Sequence, residues 1–193
     1  MERMPRERGG SSESRASREP PLDPEEQARA LCLRLLTGTP RTRQQLAEAM
    51  RKRSIPEEAA EYVLARFEDV GLIDDQAFAN AWVESRHHGR GLARRALARE
   101  LRHRGVDAEQ VSEAVALLDS EQEEETARAL VHRRLPSTRG LEQAKRVRRL
   151  AGMLARRGYS EGLALRVVRD ALDEERAAGL DTAEEEPWLW DAE

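Results

Sequence analysis

The chain is poor in aromatic residues, with three Trp, two Tyr and two Phe among 193 residues. Its apolar content is mostly Ala, Leu and Val, which suits helices packed through thin, small-residue interfaces rather than a sheet-centred enzyme core. Val and Ile never fall into alternating runs bounded by turns, so the sequence offers no strand. The expected fold class is all-α. Cys32 is the single cysteine, which excludes an internal disulfide and a cysteine-rich metal site. Within the run LCLRLL it reads as a small buried thiol. Lys52 and Lys145 are the only lysines, so nearly every positive charge is arginine, a bias that GC-rich codons alone would produce. No apolar run approaches the roughly 18–20 residues that span a bilayer. The first 21 residues, MERMPRERGGSSESRASREPP, lack the apolar segment of a secretory signal. A cytoplasmic protein without membrane contact is expected.

Catalytic patterns are also missing. His87, His88, His103 and His132 form no HxH or HxxxH ligand pair. His87 and His88 read as solvated residues of a basic hinge beside Gly89. The glycines of HHGRGLARR follow no strand and make no phosphate-cradling loop, and no Ser or Cys stands in a nucleophile elbow. Asp74 and Asp75 read as helix N-terminal charges favoured by the macrodipole. No enzyme activity, cofactor or metal is expected.

What the chain does have is a repeat. Leu46, Met50, Ser54 and Ile55 match Leu97, Leu101, Gly105 and Val106 at an offset of 51, and Leu150, Leu154, Gly158 and Tyr159 follow at 53. A period near 50 made of helical patterns indicates tandem units. Residues 1–22, rich in Ser, Arg, Glu, Gly and Pro, are expected to be disordered. Asp23-Pro24 opens the first helix, which Thr37-Gly38-Thr39-Pro40 stops. Thr42 and Gln45 form a capping box for a second helix, and a third begins near Pro56 and buries Ala60, Val63, Leu64 and Phe67. The plan repeats with helices after Asp74 or Asp75, over 92–104 and after Asp107. It repeats again over 121–135, 139–157 and after Ser160. Three tandem three-helix units follow, over 23–70, 71–119 and 120–176, with an acidic tail over 177–193. A lone unit has a marginal core, so neighbours are expected to stack into an elongated array. Gly105 and Gly158 fall where the chain must turn through a left-handed residue, and Ser54 takes that place in the first unit.

The net charge of −4 conceals an alternation. Residues 41–56 carry +4, 57–75 carry −6, 76–106 carry +5, 107–125 carry −8, 126–158 carry +9 and 159–193 carry −8. On the helix over 92–104, Arg95, Arg99 and Arg102 share one face opposite Leu97 and Leu101, flanked by Arg90 and Arg94. The third unit adds Arg133, Arg134, Lys145, Arg146, Arg148 and Arg149. Helix C-terminal dipoles account for Arg51-Lys52-Arg53, Arg104 and Arg156-Arg157, but not for the mid-helix groups. These residues are the candidate basic strip, able to face phosphates or an acidic partner. The acidic third helices would confine such contact to one face. Tyr62, Phe67, Phe78 and Trp82 all fall on apolar helix faces, which leaves no platform for stacking bases. The Trp188-Leu189-Trp190 cluster in the acidic tail reads either as a frayed end or as a docking peptide.

The block GLIDDQAFANAWVESR followed by GRGLARRALARELRHRGV resembles the centre of the RecX family, small bacterial regulators of the RecA recombinase. Gly71, Asp74, Asp75, Phe78, Ala79, Trp82, Arg86, Gly91, Leu97, Leu101 and Gly105 carry the match. The resemblance spans about 25–176. It implies three tandem three-helix repeats in a curved protein that lies along the groove of the RecA–DNA filament; apart from the resemblance, a monomer is expected. There it would lower ATP hydrolysis, strand exchange and co-protease activity in DNA repair and the SOS response, with no cofactor. The residues themselves leave open a helical DNA-binding protein acting independently of RecA, or a repeat scaffold for another partner.

Overall fold

The computed structural model describes residues 23–179. The expected N-terminal tail and the Trp188–Trp190 segment lie outside the described residues. Within them the chain forms α1 (Pro24–Gly38), α2 (Arg43–Arg51), α3 (Glu57–Asp69), α4 (Asp75–Arg90), α5 (Arg94–His103), α6 (Ala108–Ala116), α7 (Ser120–Arg134), a 3₁₀ turn (Leu135–Thr138), α8 (Gln143–Arg156) and α9 (Glu161–Ala177), with no strand among the described residues. The fold is all-helical.

Local chemistry sets the helix starts. Thr42 and Gln45 make the reciprocal capping box of α2, while Asp74, Asp107, Asp119 and Ser160 cap α4, α6, α7 and α9 through their side chains. Such caps contribute about 1 kcal/mol each. Asp23 stands at the N-cap of α1 with Pro24 behind it, but its side chain makes no capping bond.

Every extensive helix contact lies within a unit. Each unit has its own apolar cluster. The first is built on Leu46, Met50, Val63 and Leu64. Leu97, Leu101 and Val111 centre the second, and Leu150, Leu154, Val167 and Val168 the third. Burying side chains of this size stabilises by about 1.5–3 kcal/mol each. The repeat-related leucines Leu46, Leu97 and Leu150 are all at 0% exposure, so the sequence offset marks equivalent core positions.

The units are joined by the same device twice. At the first junction the Thr42 hydroxyl donates to the Arg104 carbonyl at 2.6 Å, so the start of α2 meets the end of α5. The Arg43 N–H donates to Asp75 Oδ1 at 2.9 Å, at the start of α4. At the second junction the Ala93 N–H donates to the Arg157 carbonyl at 2.9 Å, and the Arg94 N–H to Glu123 Oε1 at 3.0 Å. Orphan groups of one unit's helix end are thus satisfied by the next unit. Left-handed glycines complete each joint. Gly105 (φ +82°) lies against the Gln44 side chain, and Gly158 (φ +90°) against the backbone of Ala96. Ser54 is also left-handed, at φ 56°, but it is exposed, and no other described unit packs on it. Only the intrinsic strain of a side chain in that conformation remains there, roughly 1–2 kcal/mol.

Three expectations need correction. Tyr62 lies on the outer side of α3 and is 56% exposed, because α3 turns Ala59, Ala60, Val63, Leu64 and Phe67 inward. His87 is in no solvated hinge: α4 continues to Arg90, and His87 is buried at the second junction. Its Nδ1 lies 2.9 Å from the Leu92 carbonyl, and its Nε2 lies 2.9 Å from the Thr126 hydroxyl. Since a carbonyl only accepts, a neutral His87 carries its proton on Nδ1 and accepts from Thr126. The helix expected over 139–157 starts instead at Gln143, because Pro136 and left-handed Gly140 (φ +77°) bend the chain before it.

Candidate binding clefts at the second junction

The helices sort the basic residues into distinct environments. α5 and α8, the second helices of the second and third units, bound a cleft of about 800 Å³. Arg95, Arg99 and Arg102 reach it from α5 and Arg148 from α8. Ala96, Ala151, Gly152, Ala155 and Gly158 contribute small side chains or none to its lining, where Glu161 is the sole acidic residue. All four arginines are exposed, and none forms an ion pair with a described residue. Four guanidiniums against the single carboxylate of Glu161 make a local positive field on a chain that is acidic overall.

A second cleft, of about 550 Å³, opens between the end of α4 and α7. Arg90, Arg133 and Arg157 line it beside His88 and Leu130. Arg157 Nε donates to the Arg90 carbonyl at 3.3 Å, which ties this cleft to the same junction. Arg134 and Arg149 are exposed outside both linings. Lys145 is also exposed and stands 3.9 Å from Glu142.

Two of the expected strip residues are internal fasteners. Arg146 is 3% exposed, bonded to Glu175 and within 3.2 Å of the Thr138 hydroxyl. Arg139 Nε donates to the same Glu175 at 2.7 Å. Burial pushes the Glu175 carboxyl up, yet the hydrogen bonds and charges of Arg146 and Arg139 outweigh it and hold the group below the usual carboxylate range. Arg94 grips Glu123 through its Nε at 2.8 Å as well as through its backbone. Amphipathic periodicity could not expose these roles, because both partners lie about 30 residues away in sequence.

The motif residues of the second unit lie in caps, turns, the core and ring contacts. Asp74 caps α4, accepting from the Ala77 N–H at 2.8 Å, while Asp75 fastens the first junction. Burial pushes the Asp75 carboxyl up, against the Arg43 hydrogen bond that lowers it. Phe78 stacks on Trp82 at 5.7 Å, and the guanidiniums of Arg86 and Arg104 lie 4.2 and 3.7 Å from the Trp82 ring. Trp82 Nε1 donates to Glu100, which also faces Arg86. This cation–π cluster fastens α4 to α5 and occupies the ring that a base would need. Ala79, Leu97 and Leu101 are fully buried. Gly71 turns the chain after α3 at φ +70°, and Gly91, at φ +61°, ends α4 where a β-carbon would come 2.8 Å from Leu130. The Gly91 carbonyl accepts from the buried Tyr159 hydroxyl at 3.1 Å. Burial pushes the Cys32 thiol up to about 11, so it is protonated at neutral pH. No group of His, Cys, Asp and Glu among the described residues could hold a metal ion, and no described helix is long and apolar enough to cross a membrane.

Fold and surface define a helical-repeat protein whose junctions shape charged clefts and whose motif residues serve packing. Family models for the first, second and third three-helix domains of RecX match residues 28–67, 74–115 and 121–168 in that order. The chain belongs to the RecX family. It is 73% identical over 176 residues to the regulatory protein RecX of Streptomyces coelicolor, covering 91% of this chain and 94% of that one. Against the regulatory protein RecX of Thermobifida fusca the identity is 63% over 155 residues, with 80% and 84% covered. The crystal structure of RecX from Lactobacillus salivarius superposes with a TM-score of 0.72 at 17% identity, over 78% of this chain and 97% of that one. A second crystal structure of a regulatory protein RecX gives 0.69 at 22% identity, covering 77% and 72%. These two likenesses concern the fold.

Proposed function

We propose that this chain is a cytoplasmic, monomeric regulator that binds the RecA–DNA filament and lowers its ATPase, strand-exchange and co-protease activities, without chemistry of its own. The observation that carries the reading is the α5–α8 cleft, lined by Arg95, Arg99, Arg102 and Arg148 with no ion pair to a described residue, in a member of a family of regulatory proteins. A groove with a small-residue lining and an arginine rim suits an acidic or phosphate-bearing surface, and the filament offers both. The acidic residues of α3, α6 and α9 disfavour wrapping of naked duplex and leave specificity to the protein partner.

The test is single-strand-dependent ATP hydrolysis by the cognate RecA during titration of this protein, with binding to free DNA measured in parallel. Inhibition at substoichiometric protein with weak affinity for naked DNA is expected. Undiminished hydrolysis beside tight, salt-sensitive DNA binding would overturn it. That result would favour a helical DNA-binding protein acting independently of RecA, for which the same arginine cleft is the supporting observation.

A further inference from the structure

We infer that the α5–α8 cleft is a docking site for the chain's own acidic C-terminal segment, residues 181–193, which competes there with external anions. The cleft presents Arg95, Arg99, Arg102 and Arg148 around a lining of small residues, with no ion pair to any described residue. The complementary chemistry lies in the same chain. Residues 181–193, DTAEEEPWLWDAE, hold Asp181, Glu184, Glu185, Glu186, Asp191 and Glu193 and no Lys or Arg. Trp188 and Trp190 add two large apolar rings, suited to a groove bordered by Ala96, Ala151, Gly152 and Ala155.

The geometry allows the approach. Glu175, near the end of α9, sits beside Arg146 of α8. Along α8 the rise from Arg146 to Gly152 in the cleft is about 9 Å. The residues after Gly179 extend up to roughly 46 Å, more than that rise, the roughly 6 Å from Glu175 to Gly179 and a helix diameter of about 10 Å together. The exposed Arg149 lies between, on the same helix. Tethering makes the local concentration of this segment high, of millimolar order for short flexible links. A segment that fills the cleft about nine-tenths of the time lowers apparent affinity for a competing anion about tenfold. The inference does not require the filament reading, since it concerns the cleft and the chain alone.

The test uses the full-length protein at low salt. Acrylamide quenching of tryptophan is compared between the wild type and W188F/W190F, the difference isolating Trp188 and Trp190 from Trp82. Those rings should be protected in the wild type and become freely quenched in R95E/R99E, whose folding is checked by circular dichroism. In parallel, E184Q/E185Q/E186Q should bind a labelled oligo(dT) about tenfold more tightly, as expected if the segment fills the cleft nine-tenths of the time. Equal quenching in the wild type and R95E/R99E would overturn the inference, even if the Gln variant gained oligonucleotide affinity, because that gain would then be general repulsion. Protection of the rings in a wild type whose E184Q/E185Q/E186Q variant also fails to inhibit RecA would sink the filament reading and leave this inference standing.

Discussion

Gly158 rests on Ala96 so closely that a β-carbon at Gly158 would lie 2.6 Å from the Ala96 nitrogen and 2.7 Å from its β-carbon. The neighbour is backbone, which cannot rotate away. Gly158→Ala therefore adds overpacking, about 1–3 kcal/mol, to the 1–2 kcal/mol of a left-handed side chain. Urea unfolding should show a loss of more than 2 kcal/mol. At the equivalent Ser54, exposed among the described residues, no described unit presses on the turn, so Ser54→Gly should raise stability by roughly 1 kcal/mol. Equal and small effects at both positions would refute this account of the joint.

Asp75 holds the first junction by accepting the Arg43 N–H at 2.9 Å. Asp75→Ala leaves that donor without its partner at the start of α2, a cost of about 1–3 kcal/mol. Because each unit keeps its own core, the loss should fall on coupling between units. Unfolding of the variant should broaden or split, with hydrogen exchange accelerating over α1–α3 before α7–α9. Uniform acceleration across the chain would contradict it.

Glu175 and Arg146 set the acid limit of the third unit. The Glu175 carboxyl is held below its unfolded value, so its contribution is present above the unfolded pKa and is lost as pH falls through the folded one. Stability should drop on acidification below the ordinary carboxylate range. Glu175→Gln should flatten that part of the profile while costing stability at neutral pH. Removing Arg146 instead leaves a buried carboxylate short of its counter-charge, and Arg146→Ala should cost about 3–5 kcal/mol. A wild-type acid profile in Glu175→Gln would show that other groups set the limit.

The fold was legible because its determinants are local and repeat. Caps at Thr42, Asp107 and Ser160, the leucine pairs on α2, α5 and α8, and the turns at Gly105 and Gly158 can all be read within a few residues. The basic surface was legible only in part. One-dimensional charge sums treat Arg146 like Arg148, although two residues along α8 rotate the side chain from the exposed cleft into the buried contact with Glu175. His87 and Tyr62 failed for a related reason. His87 is buried by α7, an element nothing in its own sequence neighbourhood reveals, and Tyr62 is aromatic without being interior. That Gly105 and Gly158 need glycine for packing, while Ser54 does not, depends on which surface each unit presents to the one before it.

The sorting of the arginines separates function from stability experimentally. Arg95 and Arg99 are exposed and unpaired among the described residues, so Arg95→Glu/Arg99→Glu should leave unfolding within about 0.5 kcal/mol of wild type for each surface change. The same variant should weaken RecA inhibition, and Arg148→Glu/Arg149→Glu should do so too. If the cleft meets phosphates, losing two contacts should lower the slope of log affinity against log salt by about two. Arg94→Ala should behave in the opposite way. It removes the grip on Glu123 and loosens the second junction, yet takes no charge from the cleft, so it should cost stability while leaving the salt slope intact. Undiminished inhibition by both folded double variants would reject the cleft as the contact surface. A salt slope that fell with Arg94→Ala and held with Arg95→Glu/Arg99→Glu would move that surface to the other side of the junction, beside Arg90 and Arg133.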